Sequence, residues 1–270
     1  MATQLPLFIQ PAELDAVLDN DDVQIIAVAD AAPHAQARIP DALHIQLRDF
    51  VASNPPTSGL LPGTEALASE LAAAGLRDDA HIVVYDLSSG TQAARLVWTL
   101  LAVGHDAVSQ LDGGLNAWLD DGFDLESGPF APPQPGQFEV QWQYGFIADH
   151  DWIDAHLEDN NVQVLDVRSA EEYSGIDVRS ARGGHVPGAI HFDWRLLLQN
   201  NGRLKPEAEL RDVLAEHGIV ADKDTVLYCQ THMRSSYALL VLKLLGFTRT
   251  RGYPGAWSDW GNRDDTPIAT

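Results

Sequence analysis

The sequence predicts an α/β protein of two tandem domains, each a mainly parallel sheet with helices on both faces. Three observations carry that expectation. The chain repeats its own pattern: residues 11–28, PAELDAVLDNDDVQIIAV, are matched 139 positions later by HDWIDAHLEDNNVQVLDV at 150–167. Within each repeat, apolar strands alternate with helical stretches, the order that builds parallel sheets. Between the repeats lies Glu126-Ser-Gly-Pro-Phe-Ala-Pro-Pro-Gln-Pro-Gly-Gln137, whose four prolines and two glycines cannot continue a helix or a central strand. The expected domains are therefore 1–125, a linker at 126–140, and 141–270. A period of half the chain indicates duplicated domains rather than a solenoid, whose repeats run to about 20–50 residues.

Each element has its counterpart. The two segments above predict a short amphipathic helix, a turn of Asp and Asn, and an apolar strand. Arg38-Ile-Pro-Asp-Ala-Leu-His44 then matches His185-Val-Pro-Gly-Ala-Ile-His191. His81-Ile-Val-Val-Tyr85 and Thr225-Val-Leu-Tyr228 predict buried strands. A loop and an apolar helix follow each, closed by Gly104 and Gly246. Gly113-x4-Trp118 and Gly255-x4-Trp260 end the repeats. Ligands of such sheets bind beyond the carboxyl ends of the strands, which directs attention to the loops after Tyr85 and Tyr228.

Composition narrows the function classes. A net charge of −22 repels phosphate backbones and anionic lipid, against nucleic-acid or membrane-surface binding. No apolar run approaches the roughly 18 residues that span a bilayer. The first 18 residues, MATQLPLFIQPAELDAVL, lack a basic region and a long apolar core, so no secretory signal is expected and a cytoplasmic location is. A single cysteine, Cys229, excludes an internal disulfide framework and multi-cysteine metal sites.

Cys229 is expected where a strand turns through Gln230-Thr-His-Met-Arg-Ser235 into a buried helix over 236–245. Inward-pointing loop amides, the helix N-terminus, His232 and Arg234 all favour a thiolate, the nucleophilic form. A buried inert thiol is the competing reading, but the position at a strand end before polar residues points to reactivity. The duplicate supplies a control. Asp86 stands where Cys229 does, in Asp86-Leu-Ser-Ser-Gly-Thr-Gln92, with no cation in the loop. It is expected to be a solvated or capping carboxylate in a catalytically silent half.

The tandem layout, His185-Val-Pro-Gly-Ala189, the Cys229 loop and Tyr253-Pro-Gly-Ala-Trp-Ser-Asp-Trp260 together resemble the two-domain rhodaneses over roughly residues 8–262. The resemblance implies tandem rhodanese-like domains, a silent N-terminal domain, and transfer of a sulfane sulfur through a cysteine persulfide to cyanide or a thiol. The loop Cys229-Gln-Thr-His-Met-Arg-Ser235 is similar to that of the azotobacter- and pseudomonad-type thiosulfate sulfurtransferases, with Met233 in place of a second histidine. It implies thiosulfate as donor rather than 3-mercaptopyruvate, whose enzymes usually carry a small neutral loop. Cys229 is then the nucleophile. Gln230, Thr231, His232, Met233, Arg234 and Ser235 form the substrate-binding loop, with Arg234 and His232 on the donor's sulfonate. Glu172 stands where many members carry a substrate-binding arginine, which leaves Arg179, Arg182, Arg249 and Arg251 as alternatives, the last two read as solvated. Neither metal nor organic cofactor is required, and a monomer is expected.

Other readings keep their place. A persulfide carrier for a biosynthetic pathway shares the same chemistry. A cysteine phosphatase needs Arg six positions after the cysteine, but that position is Ser235. A non-catalytic binding module does not call for a cationic cysteine loop. His185 and His191 lack companions for a metal site, and His44 repeats His191, so both are expected to be structural hydrogen-bonding groups. Trp260 is expected in the core, while Trp257 is open between core and pocket mouth.

Overall fold

The computed structural model describes residues 4–270; Met1–Thr3, the start of the segment screened for a leader, lie outside the described residues. The first half supplies strands β1 (Phe8–Ile9), β2 (Val23–Val28), β3 (Leu43–Ile45), β4 (Ala52–Asn54), β5 (Thr57–Leu60), β6 (His81–Asp86) and β7 (Val108–Leu111). Its helices are α1 (Pro11–Asp15), α2 (Ala31–Gln36), α3 (Thr64–Ala73), α4 (Thr91–Ala102) and α5 (Gly114–Asp120). The second half follows with helices α6 (His150–Ala155), α7 (Ala170–Tyr173), α8 (Glu207–Glu216), α9 (Arg234–Leu244) and α10 (Ala256–Trp260). Its strands are β8 (Val162–Asp166), β9 (Ile190–His191), β10 (Asp224–Tyr228) and β11 (Thr250–Gly252). Among the described residues no helix is long and apolar enough to cross a membrane.

The chain forms two compact units. One takes the described residues through Val51, then Pro62–Trp142 and Asn200–Leu204; the other takes Ala52–Leu61, Gln143–Gln199 and Lys205–Thr270. Each is built on a parallel sheet, in the order β1-β7-β6-β2-β3 in the first and β11-β10-β8-β9 in the second. The central strand β6 is buried at all six positions. Alternate residues serve opposite faces: Val83 and Tyr85 join Ile25, Ala27, Leu14 and Trp118 on one side. The other face meets α4, ten of whose residues are buried. In the second unit Val164, Val226 and Tyr228 pack with Trp257 and Trp260 of α10, and α9 covers the opposite face.

The repeats share contacts as well as letters. Tyr85 Oη accepts from the Ile39 amide at 3.0 Å, and Tyr228 Oη from the Val186 amide at 3.1 Å. Trp118 donates to the Asp124 carbonyl and Trp260 to the Pro267 carbonyl, each at 2.8 Å. His44 and His191 bond the carbonyls of Ala29 and Arg168, and His185 that of Tyr173, the structural duties expected of them. α9 begins two residues earlier than the apolar pattern suggested, so Arg234 and Ser235 belong to its first turn.

Candidate active site

The site is assembled at the carboxyl end of β10. Two α10 amides fix the chain as it leaves the strand: Trp257 N–H donates to the Cys229 carbonyl at 3.0 Å and Ser258 N–H to that of Gln230 at 2.9 Å. The chain then turns sharply, with His232 in the left-handed region at φ +60°. Few non-glycine residues adopt it, though histidine is among those enriched there. The reversal aims the first turn of α9 back at the sulfur. Ser235 Oγ donates to Cys229 Sγ at 3.4 Å, and the amides of Thr231 and Ser235 also reach Sγ. Burial pushes the thiol up, but the Arg234 guanidinium, the Ser235 hydroxyl and those two amides outweigh it, leaving the thiol below its ordinary value.

Arg234 is held in place by an acid. Its Nη1 and Nη2 meet Glu172 Oε2 and Oε1 at 2.6 and 2.9 Å, a two-pronged pair, and the Glu172 side chain is 1% exposed. Glu172 is positioned locally: Ser169 and Glu172 form a capping box at the start of α7. Burial would raise its carboxyl, but Arg234 brings it below the usual value. Burial likewise pulls Arg234 down, and Glu172 and the sulfur hold it firmly in the charged form. Sequence reasoning saw Glu172 only as a missing arginine. Its role as the counter-ion of a residue 62 positions away has no local signal in the sequence.

His232 departs from its expected place. Its side chain is fully buried, with Nδ1 2.7 Å from Ser235 Oγ. It lies behind the serine. The remaining loop residues line up as follows. Gln230 Nε2 ties the loop to Ser180 Oγ at 3.2 Å and the Arg179 carbonyl at 3.3 Å. Thr231 offers its amide, and Met233 is the N-cap of α9.

Four other arginines sort themselves. Arg179 is half exposed, with Nη1 3.7 Å from Glu172 and a tighter pair to Asp177 at 2.7 Å. Arg182 is spent on the carbonyls of Trp260, Arg263 and Thr266. Arg249 pairs loosely with Asp224 at the opposite end of the sheet, since it precedes β11. Arg251, expected to be solvated, bonds the Tyr144 and Ile147 carbonyls and lies 4.9 Å from the Trp152 ring, because an aromatic ring and two backbone carbonyls flank the strand. Trp257 is core: it is 1% exposed, with the buried Arg168 guanidinium 4.5 Å from its ring. Among the described residues no three metal-ligating side chains gather into a site.

The matching loop of the first unit shows what such a turn does with a carboxylate. Asp86 Oδ1 accepts from the amides of Ser88 and Gly90, both at 2.9 Å, and Oδ2 from those of Gln92 and Ala93 at 3.0 and 3.2 Å. Asp86 is thus a capping carboxylate, but a buried rather than a solvated one.

The "Rhodanese-like domain" family model matches residues 10–121 and again 149–263. The chain is 36% identical over 264 residues to the thiosulfate sulfurtransferase of Azotobacter vinelandii, covering 98% of this chain and 97% of that one. It is equally 36% identical over 266 residues to the thiosulfate sulfurtransferase of Pseudomonas aeruginosa, covering 98% of each. The crystal structure of the Escherichia coli 3-mercaptopyruvate sulfotransferase superposes with a TM-score of 0.84 at 27% identity, over 94% of this chain and 99% of that one.

Proposed function

The chain belongs to the rhodanese-like domain family in both its halves, and from that premise we propose that it is a thiosulfate sulfurtransferase working through a persulfide on Cys229. The observation that carries the reading is the surroundings of Sγ: a cation, a hydroxyl and two amides converge on one sulfur at a strand end. The Cys229 thiolate attacks the outer sulfur of thiosulfate, the S–S bond breaks, and sulfite leaves with the bonding pair. The product persulfide anion keeps one negative charge in the loop, where amides and Arg234 stabilise it as an oxyanion hole stabilises oxygen. Cyanide or a thiol then takes the outer sulfur and returns the thiolate.

Arg179, the half-exposed cation beside Glu172, is the donor's outer anchor in this reading. The partners are a small-molecule donor and a thiophilic acceptor. A cytoplasmic monomer that leaves nucleic acid alone suits the net charge of −22. One observation favours a second donor, 3-mercaptopyruvate: Glu172 neutralises the loop's only arginine, which lowers the attraction for a dianion.

Intact mass after incubation with either donor, then cyanide, with Cys229→Ser alongside, tests the proposal. The expected result is one sulfur atom added by thiosulfate to the parent protein alone and removed by cyanide as thiocyanate. Loading by 3-mercaptopyruvate only would change the donor and keep the chemistry. Loading by neither would overturn the reading.

A further inference from the structure

Residues 52–61 lie in the first half of the sequence but belong to the second compact unit. There the β4–β5 hairpin rests on the cysteine loop. Ser58 N–H donates to Ser258 Oγ at 3.0 Å, and the Ser258 hydroxyl lies 2.7 Å from the carbonyls of both Ser58 and Gly255, which share its one proton. Gly255 N–H meets the Gly59 carbonyl at 3.3 Å, and Thr57 Oγ1 reaches Asp259 Oδ1 at 3.4 Å. Gly59 itself sits at φ +82°, and a Cβ placed there would stand 2.6 Å from the Thr231 carbonyl oxygen and 2.9 Å from Thr231 Cβ. Backbone therefore presses on backbone, with no room for a methyl group. Thr231 is the residue whose amide donates to Cys229 Sγ.

We propose that the hairpin is a positioning element for Cys229, with the bare backbone of Gly59 as the stop that sets the Thr231 amide on the sulfur. The inference rests on Cys229 being the nucleophile. The loop's first limb is pinned from α10 by the bonds to the Cys229 and Gln230 carbonyls. The hairpin bears on the same limb and fixes its remaining freedom. A hydrogen bond seated between two such supports is weakened by crowding one of them. The groups that face the thiol are Arg234, Ser235 and the two amides, with Glu172 behind Arg234 and His232 behind Ser235. The hairpin presents Thr57, Ser58 and Gly59, none charged, and Asp259 of α10 is engaged by Tyr253 Oη at 2.6 Å. A change made at Gly59 thus reaches the sulfur through geometry and not through charge.

The test compares Gly59→Ala with Gly246→Ala. Both positions have left-handed φ, +82° and +90°, but nothing lies within 4 Å of a Cβ at 246. Both variants carry the same conformational cost of a left-handed φ, and Gly59→Ala adds the clash with Thr231, so its thermal stability should fall further than that of Gly246→Ala. Cys229 is the only cysteine, so alkylation by iodoacetamide, followed by intact mass across pH, reports it alone. Gly59→Ala is expected to move the alkylation midpoint upward and slow the reaction about three- to tenfold below it, the loss in thiolate expected for ~0.5–1 unit. Gly246→Ala is expected to superimpose on the parent. If Gly59→Ala does not fold, Ser258→Ala, which releases both Ser58 bonds without adding volume, takes its place under the same criterion. A Gly59→Ala profile that superimposes on the parent overturns the proposal. Sulfur loading of the parent protein separates the two readings: loading with superimposed profiles removes only the hairpin's role, and a parent that does not load removes the sulfurtransferase reading itself.

Discussion

Replacing Arg234 by Gln should damage stability and reactivity together, and a second substitution should separate them. Arg234→Gln takes the two-pronged partner from the Glu172 carboxylate, whose side chain is 1% exposed, and leaves it the Ser169 amide and the more distant Arg179 at 3.7 Å. Breaking a buried pair costs about 3–5 kcal/mol. The arginine's side chain is 22% exposed, which lets water take part of the load and brings the expectation to about 2–3 kcal/mol. For a unit of this size that is a fall in Tm of about 10 °C. Arg234 is also the charge that most favours the thiolate. Losing a cation at such range raises a thiol by about 1–2 units, so alkylation at pH 7 should slow about 10- to 100-fold. Adding Glu172→Gln removes the buried charge. The double variant should recover most of the lost Tm, to within about 1 kcal/mol of the parent, because two neutral amides can pair in the same space. It should stay as slow as the single variant, since the cation is still absent. Thermal unfolding and iodoacetamide kinetics measure the two effects separately. A double variant that alkylates at the parental rate would refute the argument, because Arg234 would then matter only as the partner of Glu172.

Three further outcomes are expected. His232→Ala should lower kcat for sulfur transfer about three- to tenfold and leave the thiosulfate KM unchanged, since the ring supports Ser235; a raised KM would return the histidine to the donor. Asp86→Ala should cost the first unit about 2–4 kcal/mol, because four amides lose a charged acceptor, while sulfur transfer at 25 °C stays within twofold; calorimetry and a thiocyanate assay read the two. His34 is fully buried, neither ring nitrogen has a hydrogen-bond partner, and burial, His44 and Arg38 bring it down to about 4 from 6.5. The unfolded chain therefore binds the proton more readily, so this stability is complete above about pH 6.5 and is lost as pH falls towards about 4, by up to about 3 kcal/mol. His34→Leu should flatten that acid slope in urea titrations.

Whatever is local or periodic in this protein was legible in its sequence. β6 and β10 announce themselves as apolar runs ended by polar turns, and the cysteine loop is contiguous, so its residues were read together. The repeat was legible because the paired tyrosines, tryptophans and histidines keep the same backbone partners in both units. Three things were not. The partner of Arg234 lies 62 residues upstream in a capping box that reads as an ordinary helix start. The support beneath Thr231 comes from Gly59, in a hairpin whose sequence carries no mark of its destination. His232 looks like an exposed cation because a polar loop surrounds it, yet a left-handed turn carries the ring inward. In each case the deciding fact is a long-range contact or a single φ angle, neither of which has a period.

The two copies of the loop explain why one half carries the thiol and the other does not. In both, the residue at the carboxyl end of the strand, the last of β6 in one and the first beyond β10 in the other, receives amides from the second and sixth residues after it: Ser88 and Gln92 for Asp86, Thr231 and Ser235 for Cys229. Such a nest needs an anion. Asp86 offers a carboxylate whose two oxygens take four amides, so the turn is closed on itself. At Cys229 a single polarisable sulfur that forms covalent bonds takes the carboxylate's place, and a cation and a hydroxyl join the amides. The loops part at their middle, where Gly90 takes the left-handed turn in one and His232 takes it a residue earlier in the other. That shift brings an imidazole beneath Ser235, a contact the Asp86 loop does not need because its anion is already bound on both oxygens. Restoring chemistry to the first unit would therefore take more than Asp86→Cys: without a counterpart to Arg234 and the His232–Ser235 pair, the new thiol would keep amides for its anion but lack the cation that favours forming it.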